Sequence, residues 1–447
     1  MKKYLIVNAL VVNEGEIRMM DVLLADGRIA KIDPHISDFS ATVIDLNGNY
    51  LIPGMIDDQV HFRDPGLTYK ADLVTESMAA VAGGVTSFMD MPNTIPNTLT
   101  RELLEEKYAA AVRHSVANFS FFMGLSSSNW EEALRVNNET VCGLTDDGLY
   151  FNDGEILANQ PEALEKIFAR AETVVALHSE DEGIIRQNYQ HYVAQTQGNI
   201  HMRLHAKIRS TEACVEATQR VLAIQAKYQN RLHFFHISTG QEAMLFPLAT
   251  DPKKKRVTSE ACVHHLWFEE STYESLGGKI KWNPSIKTEE DRRLLIQALS
   301  EGRIDIIASD HAPHTKDEKM GTYDQIKSGA PIVQHTLPIL FELANRGELS
   351  IEQIVEKTSH RVADIYRMVN RGYIREGYFA DLVEVDANSP WQVTPESLHY
   401  KCAWSPVEDE IFQAKVKRTF VNGNLLFEND KFVSNAKGMR LLFEKIR

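Results

Sequence analysis

Short apolar runs alternate with longer segments of helical periodicity through the middle of this chain, and that alternation restricts the fold more than any other feature. Eight runs read as strands: Gly54 to Phe62, Val85 to Met89, Phe119 to Met123, Val141 to Leu144, Val174 to His178, Leu232 to Ile237, Val257 to His264 and Ile304 to Asp310. Between them lie segments such as TRELLEEKYAAAV, PEALEKIFARA and TEACVEATQRVLAIQAKY, whose apolar residues recur at helical spacing. Strands that alternate with helices build a parallel sheet. Eight such units close into an α/β fold of the (β/α)8 TIM type. An open doubly wound sheet is the alternative, but the chain has no G-x-G-x-x-G or G-x-x-x-x-G-K-[ST] to support nucleotide binding on one.

The two ends of the chain read differently. YLIVNALVV and MMDVLLADGRIAKI near the start, and YFADLVEVD and VKRTFVNGNLLFE near the finish, are rich in strand-forming residues. Asp26-Gly27, Asn47-Gly48 and Asn422-Gly423 supply the turns between them. A small β-sandwich domain assembled from residues 1–54 and 366–447 is therefore expected around a barrel of residues 55–365. Lys2 and Lys3 precede an apolar run, Tyr4 to Val7, that Asn8 interrupts, so a first strand is a better reading than a signal peptide. No stretch approaches the ~20 apolar residues of a membrane span.

Composition narrows the partners. The 447 residues are 43% hydrophobic and carry a formal charge of −14, a field that repels nucleic-acid phosphates. Cys142, Cys214, Cys262 and Cys402 lie far apart with no C-x-x-C, which excludes a zinc ribbon and fits a reducing, cytoplasmic setting. At that charge a nucleic-acid partner is not expected.

Histidines and carboxylates gather where the expected strands end. His61 closes the first, Asp146 and Asp147 follow the fourth, His178 ends the fifth, His236 lies in the sixth, and Asp310 ends the eighth. In a barrel these ends converge on one mouth. Imidazoles and carboxylates aimed at one point have the composition of a Zn²⁺ site for one or two ions. Taken singly, each has a plainer reading as a core histidine or turn aspartate; His233, His264 and His265 keep that reading.

The ordered segments PGMIDDQVHFRDPG, MPNT, TDDG, HSED, HIST, NPSIK and SDHAPHT resemble the signature segments of the dihydroorotases of the amidohydrolase superfamily. The resemblance spans about residues 50 to 340. It implies a zinc enzyme that interconverts N-carbamoyl-L-aspartate and (S)-dihydroorotate in pyrimidine synthesis. It further implies that His61, Asp147, His178, His236 and Asp310 form the metal and catalytic set, with Asp147 bridging two ions and Asp310 moving the proton. Arg63, Asn93 and His314 would hold the substrate's α-carboxylate, and Asn283 would contact its ring. A homodimer, and association with aspartate carbamoyltransferase, are also implied.

Two departures bear on this. The family pattern H-x-H reads Gln59-Val60-His61 here, so Gln59 stands where an imidazole ligand is expected, and an amide oxygen is a poorer zinc donor. The ion held by His61 is then expected to bind weakly. Residues 141–154 contain no lysine that could carry a bridging carbamate, which speaks against a hydantoinase or allantoinase. Those ring-opening amidases remain one alternative; a non-catalytic structural partner of aspartate carbamoyltransferase is the other.

Overall fold

The computed structural model describes residues 2–149, 156–248 and 254–445. Strands from both ends of the chain form one nine-stranded sheet, into which Tyr4–Asn13, Glu16–Ala25, Arg28–Asp33, Thr42–Asp45 and Tyr50–Pro53 enter from the N-terminal side. Leu382–Asp386, Lys415–Val421, Asn424–Glu428 and Lys431–Phe432 enter from the other. Tyr50–Pro53 is the seam, parallel to Tyr4–Asn13 and antiparallel to Leu382–Asp386. Asp26-Gly27 (φ 51° and 80°) and Asn422-Gly423 (φ 49° and 72°) supply the left-handed pairs that tight hairpins need. Tyr4, Ile6, Val22, Leu24, Leu51, Leu382 and Phe420 share one buried cluster, so the inward residues of both chain ends pack together.

Gly54 then leads into the barrel, and a Cβ there would stand 2.1 Å from Thr86 Oγ1, so only glycine allows this close approach. The barrel strands are β1 (Met55–Val60), β2 (Val85–Asp90), β3 (Asn118–Phe121, resumed at Met123–Gly124), β4 (Leu144–Thr145), β5 (Val175–Leu177), β6 (Leu232–Phe234), β7 (Val257–Cys262) and β8 (Ile306–Ala308). Successive strands pair in parallel. His61 N donates to His311 O at 2.8 Å and joins the first strand's end to the eighth's. Crossover helices start at polar caps, such as Asp72 before Leu73–Ala82 and Ser210 before Thr211–Tyr228. Ile56, Met89, Phe122, Phe235 and Ile306 form a buried cluster with Tyr366, Met368, Leu441 and Phe443. No helix among the described residues is long and apolar enough to cross a membrane.

The architecture is thus a TIM barrel plus a β domain, with strand ends that differ from those expected. β7 stops at Cys262 rather than His264, because Val263–Trp267 turns into a helix that stacks the His264 ring on Trp282 at 4.2 Å. β1 stops at Val60 rather than Phe62: Phe62 N donates to the Asp90 side chain instead of a neighbouring strand, and Arg63 turns to φ 66°. β4 pairs only at Leu144 and Thr145, later than the apolar run from Val141 suggested.

Candidate active site

The loops after the strands carry the polar groups inward through an unusual backbone. Arg63, His236 and Asp310 all have positive φ (66°, 35° and 46°), a region that side-chain-bearing residues seldom occupy. Such conformations recur where side-chain direction matters more than local comfort.

Asp147, His178 and His236 converge. His178 Nδ1 lies 3.0 Å from His236 Nε2, and Asp147 Oδ1 is 3.5 Å from the former and 3.4 Å from the latter. All three are buried and could hold a metal ion. The surroundings fit one. His178 Nε2 lies 2.8 Å from Glu180 Oε2, and a proton held there leaves the Nδ1 lone pair facing the centre. Burial opposes charge on Asp147, yet hydrogen bonds from His178 and His236 hold its carboxyl well below the ordinary range. Burial likewise lowers His178, but Asp147 and Glu180 outweigh it and raise the ring to about 9, and the second proton this puts on Nδ1 is the one a cation would displace. Arg209 forks onto Glu180 and keeps that carboxyl low against burial.

Asp146 does different work. It accepts from His178 N at 3.1 Å and Leu157 N at 2.6 Å, so it braces backbone while Asp147 faces the imidazoles. His61 completes the mouth. Asn93 Oδ1, an acceptor, lies 2.8 Å from His61 Nδ1, which places the proton there. His61 Nε2 then turns a lone pair toward Asp310 Oδ1 at 3.1 Å and Asp147 Oδ2 at 3.4 Å. A lone pair facing two carboxylates calls for a proton or a cation between them.

Gln59 does not sit as a ligand. Its Nε2, which has no lone pair, donates to Asp147 Oδ2 at 3.3 Å, and its Oε1 accepts from Cys262 Sγ at 3.3 Å.

A cavity of about 240 Å³ opens over this cluster, lined by His61, Asp147 and Asp310 together with Arg63, Asn93, Asn283 and His314. Arg63 Nε donates to Pro313 O at 3.2 Å, and its Nη2 lies 3.3 Å from His314 Nε2. Arg63 is buried, and among the described residues it forms no ion pair with a carboxylate. Asn283 Oδ1 is buried without a hydrogen-bond partner. Gly148 is required beside Asn93, since a Cβ there would stand 2.4 Å from Asn93 Nδ2.

Sequence reasoning missed several neighbours. Lys70 lines the cavity, 3.1 Å from both His314 Nδ1 and Glu318 Oε1. Trp282 Nε1 donates to Asp310 O at 3.2 Å, and Glu260 Oε1 accepts from His236 N at 3.1 Å. None of Lys70, Trp282 and Glu260 lies in the signature segments, whereas Glu180, the partner of His178, lies in HSED. His264 and His265 are buried core histidines, bonded to Ser309 O and Pro284 O.

Known proteins share this architecture along nearly the whole chain. A dihydroorotase of Halobacterium salinarum is 31% identical over 92% of this chain and 96% of its own. An allantoinase of Solibacter usitatus is 32% identical over 96% of this chain and 95% of its own. The solved L-hydantoinase of Arthrobacter aurescens superposes with a TM-score of 0.90 at 24% identity, covering 97% of this chain and 98% of that one, a likeness of fold. Residues 50–426 match the amidohydrolase family, and with cyclic-amide hydrolases on both sides of the comparison, the chain belongs to that family as a cyclic amidohydrolase.

Proposed function

We propose that this protein is a zinc-dependent dihydroorotase that interconverts N-carbamoyl-L-aspartate and (S)-dihydroorotate plus water, a step of pyrimidine synthesis. The observation that carries the reading is Arg63. A guanidinium buried in the cavity wall, which feels Asp310, Asp90 and Glu318 only at a distance and forms no ion pair among the described residues, is placed to receive an anionic group of the substrate. Dihydroorotate brings a carboxylate, whereas hydantoin and allantoin bring none. The planar fork of Arg63 fits that group by paired hydrogen bonds. Asn93 and His314 line the same wall, and the free Asn283 Oδ1 can accept from a ring N–H.

Asp147, His178 and His236 would hold one ion. Zinc in such a site makes a water acidic enough to ionise near neutral pH and polarises the scissile carbonyl. Asp310 takes the proton of the attacking water on its carboxylate and returns it to the ring nitrogen as the C–N bond breaks. In the synthetic direction Asp310 takes the proton from the carbamoyl nitrogen and gives it to the departing oxygen. Arg63 and Asn93 fold the open chain so that the carbamoyl nitrogen meets the side-chain carboxyl, a gain from positioning. Because Gln59 offers Asp147 an N–H, occupancy on the His61 side is weaker than between His178 and His236.

The test is hydrolysis of dihydroorotate followed by ultraviolet absorbance, with chelator and after zinc is restored. Turnover that chelator abolishes and zinc restores supports the proposal. No turnover in zinc-loaded protein overturns it and favours a structural partner.

A further inference from the structure

Below the mouth, the barrel lumen holds a second polar cluster that the proposed hydrolysis does not use. Asp58 on β1, His233 on β6 and Glu260 on β7 each offer a ligand atom, all within 4.8 Å of one another and all wholly buried. His233 Nε2 lies 3.3 Å from Glu260 Oε2 and 3.6 Å from Asp58 Oδ2. Thr258 fixes the tautomer. Its hydroxyl donates to Leu232 O and therefore accepts from His233 Nδ1, 2.9 Å away, so the ring proton sits on Nδ1. His233 Nε2 then presents a lone pair to two carboxylate groups.

Burial, with the two carboxyls in contact with each other, holds Asp58 and Glu260 well above the ordinary carboxylate range, so a proton lies where a cation could lie instead. Among the described residues, Asp58 and Glu260 have ion pairs to His233 alone. Asp58 Oδ2 accepts from the Tyr366 hydroxyl at 2.8 Å, but Asp58 Oδ1 is buried with no hydrogen-bond partner. An unsatisfied carboxylate oxygen is costly in a lumen closed to water. We propose that Asp58, His233 and Glu260 form a structural site for a divalent transition-metal cation of the zinc type, separate from the one at the mouth. One imidazole nitrogen and carboxylate oxygens are a donor set for such an ion, and Tyr366 and Thr258 orient two of the ligands from outside. The cation ties β1 to β6 and β7 across the lumen. It also steadies Glu260, whose other oxygen accepts from His236 N at 3.1 Å and so fixes the backbone that carries a mouth ligand.

The inference is independent of substrate. It is tested by anomalous diffraction above and below the zinc edge on crystals of the full chain grown with zinc. An anomalous peak within coordinating distance of Asp58, His233 and Glu260 is expected. Absence of a peak there, whatever the mouth holds, overturns the site and means that the carboxyls share a proton instead. In solution, His178→Ala/His236→Ala protein should keep about one zinc per chain after gel filtration, and adding Asp58→Asn should remove it. Complete loss of zinc from the folded mouth double variant contradicts the proposal.

Discussion

Gln59 Nε2 donates to Asp147 Oδ2 over 3.3 Å, while the other oxygen of that carboxylate faces His178 and His236. One carboxylate therefore presents one oxygen to two imidazoles and the other to an amide N–H and His61. The two sides of Asp147 are chemically unequal. Replacing Gln59 by His exchanges an N–H donor for a ring nitrogen with a lone pair, so Gln59→His should raise tightly bound mouth zinc by about one equivalent per chain. Metal analysis after dialysis reads this; equal tight binding of two mouth ions in the wild type, unchanged in the variant, would count against it.

Asp310 lies outside the Asp147–His178–His236 group and contacts His61 Nε2 at 3.1 Å. Asp310→Asn removes a proton acceptor and leaves those three ligands intact. Turnover should fall by roughly 10²–10⁴-fold with zinc retained. Near-normal activity would remove Asp310 from the proton-transfer role.

Glu180 holds the far nitrogen of His178 at 2.8 Å and is itself gripped by Arg209. Partners at this distance from a metal commonly set affinity by about 10–100-fold. Glu180→Gln should weaken zinc binding by that order, read by competition with a chromophoric chelator; unaltered affinity would show that the pair is only structural.

Lys70 gives the pH dependence. Burial first, then the nearby Arg63, lower its ammonium from 10.5 to about 8. Below pH 8 the cavity has both cations; above it Lys70 is neutral, so KM for an acidic substrate should rise as pH increases through 8. In Lys70→Met that inflection should vanish. The stability consequence has the opposite sign: the cost of burying the ammonium is fully present below pH 8 and fades as pH rises toward 10.5. A KM profile flat through pH 8 would sink the assignment.

Much of this was readable along the chain. Strand-end residues in a barrel meet by topology, so His61, His178, His236 and Asp310 could be grouped before any coordinates, and turns such as Asn422-Gly423 announce themselves by their need for positive φ. Orientation was not readable. Asp146 and Asp147 are neighbours of the same type, and only the packing of His178 N and Leu157 N against Asp146 separates them. Gln59 could be read as a poor ligand, but which end of its amide faces Asp147 depends on the Cys262 thiol on β7. In the sequence His233 reads as a core histidine, and Asp58 and Glu260 are passed over, because the proximity of the three arises across the lumen and each looks ordinary in its own strand.

The claim on which the account turns is that buried Arg63 selects a cyclic amide bearing a carboxylate. The direct measurement is kcat/KM for dihydroorotate, hydantoin and allantoin on one zinc-loaded preparation, repeated with Arg63→Ala. Loss of a charge-assisted hydrogen bond costs about 1.5–3 kcal/mol, so dihydroorotate should dominate in the wild type and fall by about 10–100-fold in the variant. Preference for hydantoin or allantoin in the wild type, or an undiminished dihydroorotate rate in Arg63→Ala, would contradict it.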